Sequence, residues 1–276
     1  MNQIKKKMGK RKQIYGVDND LWYKEVQKGA VQTMLSSLND GSPFEETDKF
    51  FDRNRPEVTS HIRNSKNSIK DVCQRFFFDM RHLENQFKYL CGASLVGIVE
   101  ENFEQQMMQL ENVLFEMDKT VDFQEYMDQL QIKCDADYNG SKLYKWICLL
   151  RKGAEQLQKN GDGSTFLRMN SDGAPNFDGP FILAVNVDKT FVFELWIEKE
   201  KVFGNMSITE CIASFLHLAF VFDLSYPKEA ETMCDIIQRR FARYGDNNGT
   251  RTNGTKASAA IKMNKYREVL GNIFTK

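Results

Sequence analysis

The pattern of hydrophobic and polar positions divides the chain into a long helical half and a shorter mixed half. Between residues 20 and 160, apolar side chains recur at spacings of three and four, which is the pattern of amphipathic helices. Gly41 and Gly92 interrupt this pattern. It predicts helices over residues 21–38, 42–51, 56–91, 95–117, 121–132 and 142–157.

The pattern changes after a glycine-rich loop at residues 160–163. Residues 181–187 and 191–197 are rich in β-branched and aromatic side chains and flank a short turn, so they predict a β-hairpin. A second turn over residues 198–201 leads to a third strand that begins at Val202 and Phe203. Helical spacing returns over residues 208–224, 227–243 and 257–273.

These elements predict an α+β fold that is predominantly α-helical, with a small antiparallel sheet near residues 181–203 followed by C-terminal helices. We expect a basic flexible arm over residues 1–19, a helical domain over 20–160, and the sheet with the C-terminal helices over 161–276. An alternative is that the last two parts form one continuous domain, since a chain of 276 residues is long enough to bury one large core.

Composition excludes several classes of protein. The chain is 41% hydrophobic, which is too much for a disordered chain, and 5 prolines with 17 glycines are too few for a collagenous one. No segment approaches the ~18 uninterrupted apolar residues of a membrane helix, and no apolar segment follows the basic N-terminus as in a secretory signal. We therefore predict an intracellular protein, cytoplasmic or nuclear, that is not secreted and has no membrane partner.

Cysteine and histidine usage indicates packing. The six cysteines include no C-x-x-C pair, and Cys73, Cys148, Cys211 and Cys234 lie within apolar helical patterns, so we expect reduced thiols in the core. The three histidines form none of the spacings that bind zinc, and His217 lies in the most apolar predicted helix. The sequence thus predicts no metal, no cofactor, no small-molecule substrate and no catalytic residue.

Two short segments resemble functional motifs without completing them. The segment from Gly161 to Thr165 resembles half of a phosphate-binding loop, but no lysine stands in the required place, so we interpret it as a turn. Asp188 and Glu194 have the residue types of a metal-dependent nuclease, but the charged turn 198–201 lacks the Glu-x-Lys step. A nuclease stays a hypothesis that a pocket shared by these two acids and a third carboxylate would support.

Charge is the most informative feature, because the balance of 38 basic and 38 acidic residues is a cancellation between segments. Residues 1–12 carry a charge of +6 and residues 237–276 carry +7. The body between them, residues 13–236, carries 23 basic and 36 acidic residues and so a charge of −13. Basic ends of this kind bind phosphates and gain affinity when counterions are released. They also suit docking on the acidic body of a neighbouring copy, which would produce chains or rings.

The leading hypothesis is therefore a non-enzymatic, nucleoprotein-like protein that binds nucleic acid, which we expect to be single-stranded RNA, and that associates with copies of itself. Both basic ends would contact phosphates. Tyr244 and Tyr266 lie among basic residues and are the candidates for stacking on bases, whereas packing at a helix end is the favoured interpretation of Tyr244. The alternative is a protein–protein interaction or structural module that binds no nucleic acid. The residues nominated for nucleic-acid binding are Lys5, Lys6, Lys7, Lys10, Arg11, Lys12, Arg239, Arg240, Arg243, Tyr244, Arg251, Lys256, Lys262, Lys265 and Arg267.

Part of the second half resembles a known family. The segment 219–230, with the letters AFVFDLSYPKEA, together with the segments 179–183 and 236–239, is similar to the C-terminal region of vertebrate sterile-alpha-motif-domain-containing protein 3-like sequences. The resemblance begins at about residue 177 and implies a short sheet, a hydrophobic helix, a helix that starts at Tyr-Pro-Lys-Glu and a basic tail. It carries over no catalytic residue. The first half departs from the family's pattern, because no sterile alpha motif is apparent in it.

Overall fold

The fold was analysed in a computed structural model that describes residues 44–64, 68–77, 79–117, 123–134, 141–188 and 190–245. These residues form eight α-helices and a four-stranded sheet, so the predicted α+β class with predominantly helical content is confirmed. The predicted arm at 1–19 and the predicted helices at 21–38 and 257–273 lie outside the described residues.

Six helices precede the sheet. The three predicted over residues 95–117, 121–132 and 142–157 are confirmed with bounds that differ by at most two residues, because each has a regular apolar stripe. In chain order the six are α1 (Phe44–Asn64), α2 (Ile69–Phe76), α3 (Met80–Cys91), α4 (Val96–Met117), α5 (Phe123–Cys134) and α6 (Lys142–Gln156).

The prediction of a nearly continuous helix over residues 56–91 is wrong, because two N-caps divide it. The Ser68 hydroxyl accepts a hydrogen bond from the Asp71 amide at 3.1 Å and begins α2. The Asp79 carboxylate accepts one from the Arg81 amide at 2.9 Å and begins α3. Side chains that cap the backbone in this way favour a helix start over a helix interior.

The sheet has the strand order β1-β2-β3-β4 and is mixed. Strands β2, β3 and β4 form the predicted antiparallel meander, but β1 pairs with β2 in parallel, and the hydrophobic pattern does not indicate that strand. The second turn is shorter than predicted, because Glu198 and Lys199 alone make it, with φ angles of 53° and 64°. The strands are β1 (Leu167–Met169), β2 (Phe181–Val187), β3 (Thr190–Ile197) and β4 (Glu200–Met206).

Helix α7 (Ile208–Val221) is the centre of the core. A capping box begins it, in which the Glu210 amide donates to the Ser207 hydroxyl and the Ser207 amide donates to the Glu210 carboxylate. The helix packs against α3 and α4 on one side and against the sheet on the other. Twelve of its fourteen residues are buried, as expected for a helix that is apolar all round. Core residues from both sides of position 160 belong to one hydrophobic cluster.

The last described helix is shorter than predicted. The sequence predicts one helix over residues 227–243, whereas α8 (Glu231–Ile236) lies between a 3₁₀ turn at Lys228–Ala230 and a π-helical turn at Ile237–Phe241. The described chain ends at Gly245, after Arg243 with its left-handed φ of 48°.

Candidate functional surfaces

Four of the residues nominated for nucleic-acid binding lie in the described part of the chain. They are Arg239, Arg240, Arg243 and Tyr244, and the remaining eleven lie in segments 5–12 and 251–267, outside the described residues. Arg239 and Arg240 lie in the last helical turn, and Arg243 and Tyr244 follow shortly after it. Their surroundings decide which of them presents its side chain to solvent.

Arg239 forms an ion pair within the protein. Its Nε donates to both carboxylate oxygens of Asp235 at 3.1 Å, and its Nη1 donates to the carbonyl of Gly245 at 3.3 Å. The Arg239 side chain is 11% exposed and that of Asp235 is 5% exposed, so the pair is largely desolvated. The carboxylate neutralises the arginine charge, and the guanidinium fixes the direction in which the chain leaves the body.

Tyr244 is part of the core. Its ring lies against Phe87 and Phe220 with centroid distances of 5.4 and 5.1 Å, and 8% of the residue is exposed. Its amide donates to the Gln238 carbonyl at 2.9 Å, and burial raises the pKa of its phenol. The stacking surface that the sequence suggests at Tyr244 is therefore not exposed. Arg243 is exposed and Arg240 is half-buried.

Four cysteines and one histidine that could perform nucleophilic or acid–base chemistry lie inside the fold. Cys73, Cys148, Cys211 and Cys234 are buried free thiols, as predicted. His217 is fully buried, its ring lies 4.7 Å from that of Phe87, and burial lowers its pKa to about 3. Within the described residues, neither nitrogen of His217 has a hydrogen-bond partner.

The two acids of the nuclease hypothesis are far apart. Asp188 lies in the β2–β3 turn, and Glu194 lies in β3, four residues beyond the first strand residue Thr190, so the extended strand alone separates the two acids by about 13 Å. Glu194 instead accepts hydrogen bonds from the indole of Trp196 at 2.9 Å and from the ammonium of Lys201 at 3.0 Å. In the ranges that the structure describes, no three His, Cys, Asp or Glu side chains form a group that could hold a metal ion.

The glycines of the segment 161–165 serve close packing. A β-carbon on Gly161 would lie 2.0 Å from the carbonyl oxygen of Ala154, so only glycine allows the loop to approach the end of α6. The Asp162 carboxylate accepts the Ser164 amide at 2.8 Å and begins a 3₁₀ turn. This agrees with the interpretation of the segment as a turn.

A buried ion pair that the sequence does not predict joins α6 to the loop after β1. The guanidinium of Arg151 contacts both carboxylate oxygens of Asp172, and its Nη1 also donates to the carbonyl of Leu167 at 3.0 Å. Burial disfavours the charged form of Asp172, but the bonds from Arg151 outweigh it and hold the pKa of Asp172 below its ordinary value. The pair holds β1 against α6.

A second feature missed by the sequence analysis is an exposed stripe along α4. The stripe consists of Glu101, Glu104, Met108, Asn112 and Phe115, which share one helix face at spacings of three and four. Met108 is 60% exposed and Phe115 is 47% exposed. The composition of Val96–Met117 could have indicated an acidic surface, because this segment contains five glutamates and neither lysine nor arginine.

Comparison with protein-family models, with curated proteins and with solved structures gave no match. The resemblance to sterile-alpha-motif-domain-containing protein 3-like sequences therefore stays a prediction. Across the described residues, no helix is both long and apolar enough to cross a membrane. The intracellular location also stays a prediction.

Proposed function

We propose that this protein binds single-stranded RNA without sequence preference through its basic N-terminal and C-terminal segments and acts without catalysis. The observation that carries the proposal is the separation of charge into +6, −13 and +7 along the chain. An acidic body repels a polyanion, so phosphates would be held by the two basic ends. Counterion release would supply most of the affinity, which makes binding strongly dependent on salt.

The surroundings of the described arginines refine this proposal. The charge of Arg239 is neutralised by Asp235, and the ring of Tyr244 is enclosed by the core. The C-terminal contribution would therefore come from Arg243 and from the basic residues after Gly245. Binding by exposed side chains on flanking segments fits a sequence-independent mode, because phosphate contacts carry no sequence information.

The test is a salt series measured by fluorescence anisotropy with a labelled single-stranded RNA of about 20 nucleotides, a length that exceeds a typical single-strand site. Replacing the six basic residues of segment 1–12 by glutamine should reduce the slope of log K against log salt by about 4, if each side chain contacts one phosphate. A matched control replaces Lys142 and Lys145, which pair with Glu104 and Glu111 on the body, and should leave the slope unchanged. Absence of binding at low salt, or an unchanged slope in the arm variant, would contradict the proposal.

The second candidate is a protein–protein interaction module, and the exposed stripe of α4 favours it. Solvent-exposed methionine and phenylalanine side chains on one helix face are typical of contact surfaces. Association between copies through basic ends and acidic bodies is part of the first candidate and is compatible with the second. Size-exclusion chromatography tests it, because electrostatic oligomers should dissociate as ionic strength rises.

A further inference from the structure

The exposed stripe of α4 combines two properties that rarely occur together on a solvated helix. Its centre and its C-terminal end are apolar, at Met108 and Phe115, and its N-terminal part is acidic, at Glu101 and Glu104. Single exposed hydrophobic residues are common on protein surfaces, and two on one helix face provide a larger apolar area for a contact. Among the described residues, the four large hydrophobic side chains with high exposure include both of these.

The charge of α4 is only partly compensated by its neighbours. Lys142 and Lys145 of α6 form ion pairs with Glu104 and Glu111, each at 2.6 Å. Within the described ranges these are the basic residues paired with α4, which carries five glutamates and no basic residue. The helix therefore presents a net negative charge beside its exposed apolar residues, and a basic segment with apolar side chains would complement both properties.

A shallow cleft extends the stripe at its C-terminal end. Its apolar lining includes Leu114, Phe115, Phe123 and Leu149, and its charged lining includes Glu111 and Lys152. Gln156 also lines it, and among the described residues its buried side-chain oxygen accepts no hydrogen bond. A cleft with an apolar part and an unsatisfied acceptor nearby suits an apolar side chain next to a donor group.

The described chain ends beside this helix. The ring of Phe241 lies 5.7 Å from that of Phe103 of α4, and the carbonyl of Phe241 accepts a long hydrogen bond from Asn102. Gly245 follows four residues later and is held by Arg239. The C-terminal segment thus leaves the body next to the N-terminal part of α4.

The segment that follows has the composition and the reach to cover the stripe. Residues 257–273 contain three basic residues, one acidic residue and several apolar residues at helical spacing, among them Met263 and Leu270. The connection over residues 246–256 spans up to about 40 Å when extended. The distance along α4 from Asn102 to Phe115 is about 20 Å, so the whole stripe lies within reach.

We propose that the C-terminal segment 257–273 docks on the exposed stripe of α4 within the same molecule. Its apolar side chains would cover Met108 and Phe115, and its basic side chains would face the glutamates. A tethered segment has an effective concentration in the millimolar range, so modest contacts suffice for docking within one molecule. The docking requires no nucleic acid. Because it uses Lys262, Lys265 and Arg267, which are also nominated to bind phosphates, RNA would compete with it, and the test is therefore made without RNA.

The experiment is site-specific photocrosslinking in the full chain without nucleic acid. Met108 is replaced by the photoreactive amino acid p-benzoylphenylalanine, and crosslinked peptides are identified by mass spectrometry. We expect a product of monomer mass that joins α4 to residues 257–273. Val187, which is 43% exposed at the end of β2, receives the same replacement as a control and should give no such product. Crosslinks from Met108 to the arm 1–12, a product of dimer mass, or the absence of a crosslink to 257–273 would each overturn the proposal.

A charge exchange distinguishes docking from chance proximity. Glu101→Lys should lower the yield of the crosslink about fivefold, since it turns an attraction between exposed charges into a repulsion. Adding Lys265→Glu to this variant should restore the yield. Glu229→Lys, at an exposed glutamate outside the stripe, is the matched control and should change nothing. An equal effect of Glu101→Lys and Glu229→Lys would refute the assignment of the stripe as the docking surface.

Discussion

Helices α7 and α4 share one core but bury their side chains in opposite ways. Helix α7 has neighbours on every side, and its polar residues Ser214 and His217 lie in the core, where among the described residues their side-chain polar atoms have no hydrogen-bond partner. Helix α4 covers one side of that core, and its exposed stripe carries the apolar residues Met108 and Phe115. Helix α7 thus encloses polar side chains in the core, whereas α4 exposes apolar side chains to solvent. Polar groups enclosed in α7 bear on stability, whereas apolar groups exposed on α4 bear on contacts with other segments.

The largest expected difference is between two phenylalanines, one on each helix. Phe215 is fully buried and packs against Phe166 and Tyr226, whereas Phe115 is 47% exposed. Phe215→Ala should lower the free energy of unfolding by about 4 kcal/mol, because it leaves a cavity in the core. Phe115→Ala should lower it by less than about 1 kcal/mol, because the site stays accessible to water. Urea unfolding followed by circular dichroism measures both, and similar losses would contradict the contrast.

The next prediction compares two ion pairs of α6, one that is largely buried and one near the surface. Arg151→Met should lower the free energy of unfolding by about 3 kcal/mol, because it leaves Asp172 buried without its ion-pair partner. Lys145 lies in the same helix as Arg151 and pairs with Glu111 nearer the surface. Lys145→Met should change the free energy of unfolding by less than about 1 kcal/mol. Thermal or urea unfolding at pH 7 distinguishes the two variants, and equal losses would show that the Arg151 pair is not desolvated.

The burial of His217 makes the free energy of unfolding dependent on pH. Its pKa in the folded protein is lowered to about 3 by burial, so between pH 6.5 and 3 the unfolded chain binds a proton that the folded protein does not. Acidification from pH 7 to pH 5 should therefore lower the free energy of unfolding by about 2 kcal/mol through this residue. His217→Leu should remove that part of the loss. Urea unfolding at both pH values measures it, and an identical pH dependence in the variant would show that His217 is not the residue responsible.

The smallest effect on stability is expected at the stripe. Met108→Gln should change the free energy of unfolding by less than about 0.5 kcal/mol, because the side chain is 60% exposed. The same substitution should weaken docking of segment 257–273, which a crosslinker placed at Phe115 would report. A large loss of stability would show that Met108 belongs to the core, and unchanged docking would remove its role in the contact.

The sequence predicts those parts of the fold that depend on local periodicity. The helices α4, α5, α6 and α7 were found at nearly the right bounds because each has a regular apolar face or is apolar throughout. Strand β1 could not be found in this way. It has three residues, one of them Arg168, whose burial is possible because its guanidinium donates to three backbone carbonyls that the fold brings to it. Such compensation depends on tertiary contacts, which no local pattern contains.

The candidate surfaces were predicted less completely than the fold. The sequence shows that Arg239 and Tyr244 belong to a basic segment, but their actual partners, Asp235 and the ring of Phe87, are identified only by the folded arrangement. For α4, the sequence alone shows that the helix contains no lysine or arginine. That Met108 and Phe115 share an exposed face follows only from the helix bounds and from the exposure of each side chain.

The central position of α7 has a consequence for the order in which the protein folds. This helix covers the inner faces of α3 and α4 and one face of the sheet, yet it begins only at Ile208. During synthesis, Phe87 therefore lacks its native contacts with the rings of His217 and Phe220 until most of the chain has been made. A chain that ends before Ile208 would lack the helix against which both halves pack, so we expect the helical first half to reach its native packing only after α7 has been made.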